Sequence, residues 1–166
     1  MIVVTIKNDP EVSKKIWPTF KETLEEKHGQ SGIIGDSGEE KALTLFERAF
    51  GDVKFAAHHK DGLSQMMGID FTICISGKYY FVDIKSGSSS LFYDKSVGGK
   101  SGWYITLRKN VINKNNKTDI IMHLGPKGDV YAWYHKKQMR EFVKEMKDQE
   151  LKLYISDWPE WIKTNL

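Results

Sequence analysis

This chain holds one cysteine, Cys74, in 166 residues. A lone thiol excludes an internal disulfide and a cysteine-rich zinc module, and its place in an apolar run reads as a small strand residue rather than a nucleophile. No apolar stretch approaches the roughly 20 residues that cross a bilayer. Met-Ile-Val-Val-Thr-Ile-Lys at residues 1–7 is too short for a signal peptide. We therefore expect an intracellular, cytoplasmic protein without a membrane partner. No internal repeat or linker divides the sequence, and its length suits one well-cored domain better than two. Residues 1–166 are accordingly expected to form a single domain. Gly99-Lys100-Ser101 suggests a phosphate-binding loop, but Asp94 stands where that motif needs Gly and no strand leads directly into it.

Negative charge is missing from a whole segment. Between Lys95 and Thr118 there are Lys95, Lys100, Arg108, Lys109, Lys114 and Lys117, and no Asp or Glu. Trp103 and Tyr104 lie within it. A basic, partly aromatic segment suits the phosphate backbone of a nucleic acid, while a solvated lysine-rich loop would have the same composition. Lys95, Lys100, Arg108 and Lys109 are the candidate nucleic-acid contacts.

The elements present can be read from periodicity and end signals. Asp9-Pro10-Glu11 opens a helix whose Val12, Ile16, Phe20 and Leu24 recur every four residues to about His28, with a kink at Pro18. A Gly/Ser-rich loop over 29–38 precedes a second helix, Gly38 to Phe50. Ser37 caps that helix, Glu40 completes a capping box, and Gly51 ends it. Ala42, Leu43, Phe46, Ala49 and Phe50 form its apolar stripe, and Glu39 lies on the same stripe. Glu40 has a structural explanation in the cap; Glu39 has none. Val53–Ala57 reads as a strand, followed by an exposed connection, His58-His59-Lys60-Asp61-Gly62. The adjacent histidines lack the spacing that puts two rings on one helix face, so they are expected at the surface or the substrate side. Residues 86–102 read as a long mobile loop over the site. Ile120–Leu124 and Val130–Tyr134 are expected strands joined by Gly125-Pro126-Lys127-Gly128-Asp129. Met139, Phe142, Val143 and Met146 mark a later helix, and Asp157-Trp158-Pro159-Glu160 starts a short last one. Trp158 and Trp161 would pack either the core or a partner subunit.

The most informative stretch is Gly68 to Gly87. Two runs of β-branched and aromatic residues flank Gly77-Lys78, which suits a two-residue type II′ turn. With that turn Thr72 faces Asp83 and Asp70 faces Lys85. Alternation then puts Asp70, Thr72, Asp83 and Lys85 on one face, with Phe71, Ile73, Ile75, Val82 and Ile84 on the other. Asp70 and Asp83 become diagonal neighbours, about 7–8 Å apart at the backbone, within joint reach of one cation. An ordinary solvated face with a cross-strand ion pair would show the same residue types.

An acid on a helix, then Gly-x-Asp, then Asp-x-Lys at the end of a hairpin, resembles the PD-(D/E)xK nuclease superfamily, including its junction-resolving (Holliday-junction-resolvase-like) and restriction-type members. The matching residues are Glu39, Asp70, Asp83 and Lys85, and the likeness covers residues 37–87. Ile69 stands where the motif's name has Pro, and Asp83 where Glu is commoner. The resemblance implies an α/β, restriction-endonuclease-like fold, a mixed central sheet flanked by helices. It implies a Mg²⁺- or Mn²⁺-dependent DNA endonuclease acting on phosphodiester bonds. Asp70, Asp83 and the Ile84 carbonyl would ligate the metal, Lys85 would orient water or stabilise the phosphate, and Glu39 would hold a second metal or its water. Branched or junction DNA is the preferred substrate, and cutting both strands symmetrically would need a homodimer. The other readings are a restriction-type or RNA nuclease, an inactive DNA-binding module of the same fold, and a non-enzymatic interaction domain.

Overall fold

The computed structural model describes residues 2–6, 37–60, 64, 66–86, 91–97 and 100–166. The helix expected over 9–28 lies outside them. The protein is a mixed α/β molecule with a multi-strand mixed sheet and few helices. Its chain divides into two compact units, Met1–Asp83 with Asn116–Thr118, and Ile84–Asn115 with Asp119–Leu166. Among the described residues no helix is long and apolar enough to cross a membrane.

The first unit holds β1 (Ile2–Ile6), α1 (Ser37–Phe50), β2 (Val53–His59), β3 (Phe71–Ile75) and most of β4 (Lys78–Lys85). The apolar start Ile-Val-Val-Thr-Ile is rich in β-branched residues and pairs in parallel with β2. β2, β3 and β4 then pair antiparallel in turn, so this sheet is mixed. Burial of Phe46 holds α1 in place. Its ring meets Phe71 edge-on at 5.0 Å between centroids, against the sheet face that also carries Ile73 and Val82. α1 ends as expected, at Gly51 with φ +74° and its N–H on the Glu47 carbonyl at 3.0 Å. It begins one residue earlier than the sequence indicated, with Ser37 already helical.

Two expectations about this unit are overturned. His58 and His59 are not in an exposed connection; β2 runs through both, and His59 is 2% exposed. His58 stacks on Phe71 at 4.4 Å. The β3–β4 turn is Ser76-Gly77, not Gly77-Lys78. Both central residues have positive φ, +50° and +79°, which is the type I′ requirement and matches the right-handed twist of the strands. The pairing slides by two residues, so Thr72 faces Phe81 and Cys74 faces Tyr79. A slip of two, unlike a slip of one, leaves every side chain on its expected face.

The second unit contains β5 (Leu91–Val97), β6 (Lys100–Arg108), α2 (Lys109–Ile112), β7 (Ile120–Leu124), β8 (Tyr131–His135), α3 (Lys136–Lys144), β9 (Glu150–Tyr154) and β10 (Lys163–Thr164). β5, β6 and β9 make one antiparallel sheet, and β7, β8 and β10 pair antiparallel in another. Leu91, Ile105, Leu107, Ile121, Tyr134, Met139 and Val143 join in one core cluster. The expected mobile loop at 86–102 is thus replaced, over its described part, by a strand hairpin. Leu91, Phe92 and Tyr93 pair with Ile105, Tyr104 and Trp103, an apolar ladder that the flanking Gly and Ser disguise. The helix expected to start at Asp157 is not formed: a 3₁₀ turn, Ile155–Asp157, ends there, and the residues after it are turn and bend. Trp158 and Trp161 pack on the core. Trp161 meets Tyr134 and Phe142 edge-on, each at 6.2 Å, and Trp158 Nε1 donates to the Leu153 carbonyl at 2.8 Å.

Candidate active site

Gly68-Ile69-Asp70 enters β3 as a three-residue device. Gly68 sits at φ +71°, a backbone conformation that costs an L side chain about 1–2 kcal/mol. A Cβ there would also collide with the Asn116 side-chain amide and lie 3.2 Å from Thr118 Oγ1. Thr118 Oγ1 donates to the Gly68 carbonyl at 2.6 Å. Ile69 is wholly buried, which anchors the segment between a fixed glycine and a half-buried aspartate. Asp70 then spans its two neighbouring strands. Its N–H donates to the Val82 carbonyl at 3.0 Å, and its carbonyl accepts from the His59 N–H at 2.7 Å.

Asp83 follows Val82 on β4 and is 9% exposed. The paired register ends at Phe71–Val82, and Asp70, just outside it, bonds through its N–H to the carbonyl of Val82, the residue before Asp83. Lys85, half-buried, is two residues further along β4 and shares its alternation with Asp83. Carboxylate oxygens are the hard donors that Mg²⁺ or Mn²⁺ takes. Among the described residues no group of three or more His, Cys, Asp or Glu side chains clusters as a metal site. Glu39 belongs to α1, and its side chain lies outside the described residues.

A buried polar chain supports Asp70 from β2. His59 Nε2 is 2.7 Å from Thr72 Oγ1, and its Nδ1 is 3.3 Å from Ser64 Oγ. With both ring nitrogens engaged, His59 positions β2 against β3 rather than offering a metal ligand. Sequence reasoning missed His59, Asn116 and Thr118. The alternation Phe55, Ala57, His59 was a usable signal for the first. Thr118 has no local signal, because its partner lies 50 residues away.

The basic candidates separate in the second unit. Lys95 is exposed on β5, and Lys100 starts β6 with its side chain outside the described residues. Arg108 ends β6, where its Nε donates to Glu150 Oε2 at 3.2 Å. Lys109 Nζ donates to the Met146 carbonyl at 2.9 Å, which ties α2 to the chain just after α3. Lys85 lines a cleft with Arg108, Thr106, His123 and Tyr134. Comparison of the chain with family models, with curated proteins and with solved structures returns no match.

Proposed function

We propose that this chain is a Mg²⁺-dependent DNA endonuclease of the PD-(D/E)xK kind, with a restriction-endonuclease-like fold. One observation carries the reading: the Asp70 N–H bonds the carbonyl of Val82, the residue before the buried Asp83, and Lys85 shares the alternation of Asp83 on β4. Asp70 and Asp83, with the Ile84 carbonyl, would hold Mg²⁺ or Mn²⁺, which when bound supplies a Lewis acid at the phosphate and a more acidic water. Lys85 places a positive charge where the phosphorane-like transition state gathers negative charge. Glu39, on α1, would add a further carboxylate, to hold a second metal or a metal-bound water. Among the described residues there is no separate sequence-reading module, and the substrate we propose is branched or junction DNA. Symmetric cutting of both strands requires a homodimer.

Plasmid, single-stranded and four-way-junction DNA, each incubated with Mg²⁺ or with EDTA, test this. Cleavage with Mg²⁺ that is abolished by EDTA is expected, fastest on the junction. Undiminished cutting in EDTA, or no cutting of any DNA with Mg²⁺ or Mn²⁺, refutes the reading.

A further inference from the structure

The three-stranded sheet of the second unit has two unlike faces. Leu91, Ile105 and Leu153 pair across β5, β6 and β9 and lie in the core cluster. Alternation turns their chain neighbours Phe92, Tyr104 and Tyr154 to the other face, where the same register sets three rings in one cross-strand row. None of the three belongs to the core cluster. Phe92 and Tyr104 lie 6.0 Å apart between ring centroids, and Tyr104 and Tyr154 5.3 Å apart. Tyr154 is buried, and its hydroxyl donates to Asp94 Oδ2 at 3.0 Å, so it forms the fixed end of the row. Phe92 and Tyr104 are half-buried and keep ring surface in solvent. Lys152 Nζ stands 5.0 Å from the centroid of the Tyr104 ring, and among the described residues no carboxylate pairs with it. An exposed cation–π contact is weak, so this ammonium is held at the rim of the row and stays open to an anion.

Flat rings with a cation at their rim match a ligand that alternates flat bases with charged phosphates. Bases in a duplex stack about 3.4 Å apart and turn their edges to their partners, which closes their faces to protein rings. Two rings 6.0 Å apart can take only bases that are spread and unpaired. The Asp94 carboxylate repels phosphate from the Tyr154 end, which leaves the Lys152 side to the backbone. We propose that Phe92 and Tyr104 form a stacking platform for unpaired bases of a single-stranded nucleic acid, with Lys152 on a phosphate beside them. This binding activity goes beyond phosphodiester cleavage and needs no metal site.

Binding is measured in EDTA, where the proposed metal-dependent cleavage is off, by fluorescence anisotropy of a labelled single-stranded DNA and of the fully paired duplex. The proteins are wild type, Phe92→Leu, Tyr104→Leu, Tyr104→Phe and Lys152→Ala, each checked by its melting curve and by sedimentation. Wild type should bind the single strand more tightly than the duplex. Phe92→Leu and Tyr104→Leu should each lose about tenfold on the single strand, the scale of one base stacked on one ring, and keep their affinity for the duplex. Tyr104→Phe keeps the ring and should keep the affinity. Lys152→Ala should flatten the log–log salt slope on the single strand by about 0.7. A strand of abasic nucleotides should bind wild type at least about tenfold more weakly than the intact strand, with a smaller penalty in Tyr104→Leu. The abasic comparison on wild type decides the matter even where a leucine variant fails to fold. Equal affinity for intact and abasic strands, or a preference for the duplex, overturns the proposal. So does a wild-type dimer that Tyr104→Leu dissolves, which would assign the row to a second copy of the chain. Cleavage with Mg²⁺ is scored separately on the wild type. A failed binding test in a protein that cuts removes this inference alone; a successful one in a protein that never cuts removes the nuclease reading alone.

Discussion

Replacing Gly68 by Ala separates two costs that the entrance to β3 combines. The first is conformational: φ +71° costs an L residue about 1 kcal/mol. The second is contact. The new Cβ would displace the Asn116 amide, whose Oδ1 accepts from the Thr118 N–H at 3.3 Å, and would press on Thr118 Oγ1 at 3.2 Å. Losing those two hydrogen-bond arrangements adds about 1 kcal/mol each. The total is about 3 kcal/mol, or a melting temperature lower by about 6–12 °C for a chain of this length. Gly77→Ala is the internal control. It has φ +79° and nothing within 4 Å of the added Cβ, so it should lose only about 1 kcal/mol. Asn116→Ala introduced first should reduce the Gly68→Ala penalty to about 2 kcal/mol, because the amide is no longer there to displace. Thermal melts by circular dichroism measure all four proteins. Equal losses for Gly68→Ala and Gly77→Ala would show that the packing around Gly68 contributes nothing and that Asp70 is positioned some other way.

Asp83→Asn, nearly isosteric, should abolish metal-dependent cleavage while leaving the melting curve close to that of wild type; a folded, fully active variant would sink the metal mechanism. Glu39→Gln should lose most of its turnover with little loss of stability, whereas Glu40→Ala should keep its turnover. The reverse pattern would put Glu40 at the site. Lys109→Ala should cost about 1.5 kcal/mol, through its bond to the Met146 carbonyl, and leave the salt dependence of DNA binding unchanged. A flatter salt slope with unchanged melting would return Lys109 to the nucleic-acid surface.

Much of the fold was legible wherever a local period controlled it. Ile120–Leu124 was read to the residue, the stop of α1 at Gly51 follows from one glycine, and Met139 and Val143 are buried as their spacing required. The β5–β6 hairpin was not legible, because Gly and Ser at its ends carry a loop composition while its apolar residues find partners only across the ladder. His59 was misplaced for a related reason. Its ring looked solvent-bound until Thr72 and Ser64 supplied two buried partners from other segments.

The candidate site divides along the same physical line. Side-chain alternation has a period of two and is a property of each strand alone, so the sequence by itself put Asp83 and Lys85 on one side of β4. It could not count the register, because either Gly77-Lys78 or Ser76-Gly77 makes a two-residue turn. Only the folded backbone, with positive φ at both Ser76 and Gly77, selected the pairing of Phe71 with Val82 that leaves the Asp70 N–H on the Val82 carbonyl. The support of Gly68 by Thr118 and the meeting of Lys85 with Arg108 in one cleft also belong to the tertiary structure. Each joins residues too far apart in the chain for any local period to relate them, and packing alone brings them together.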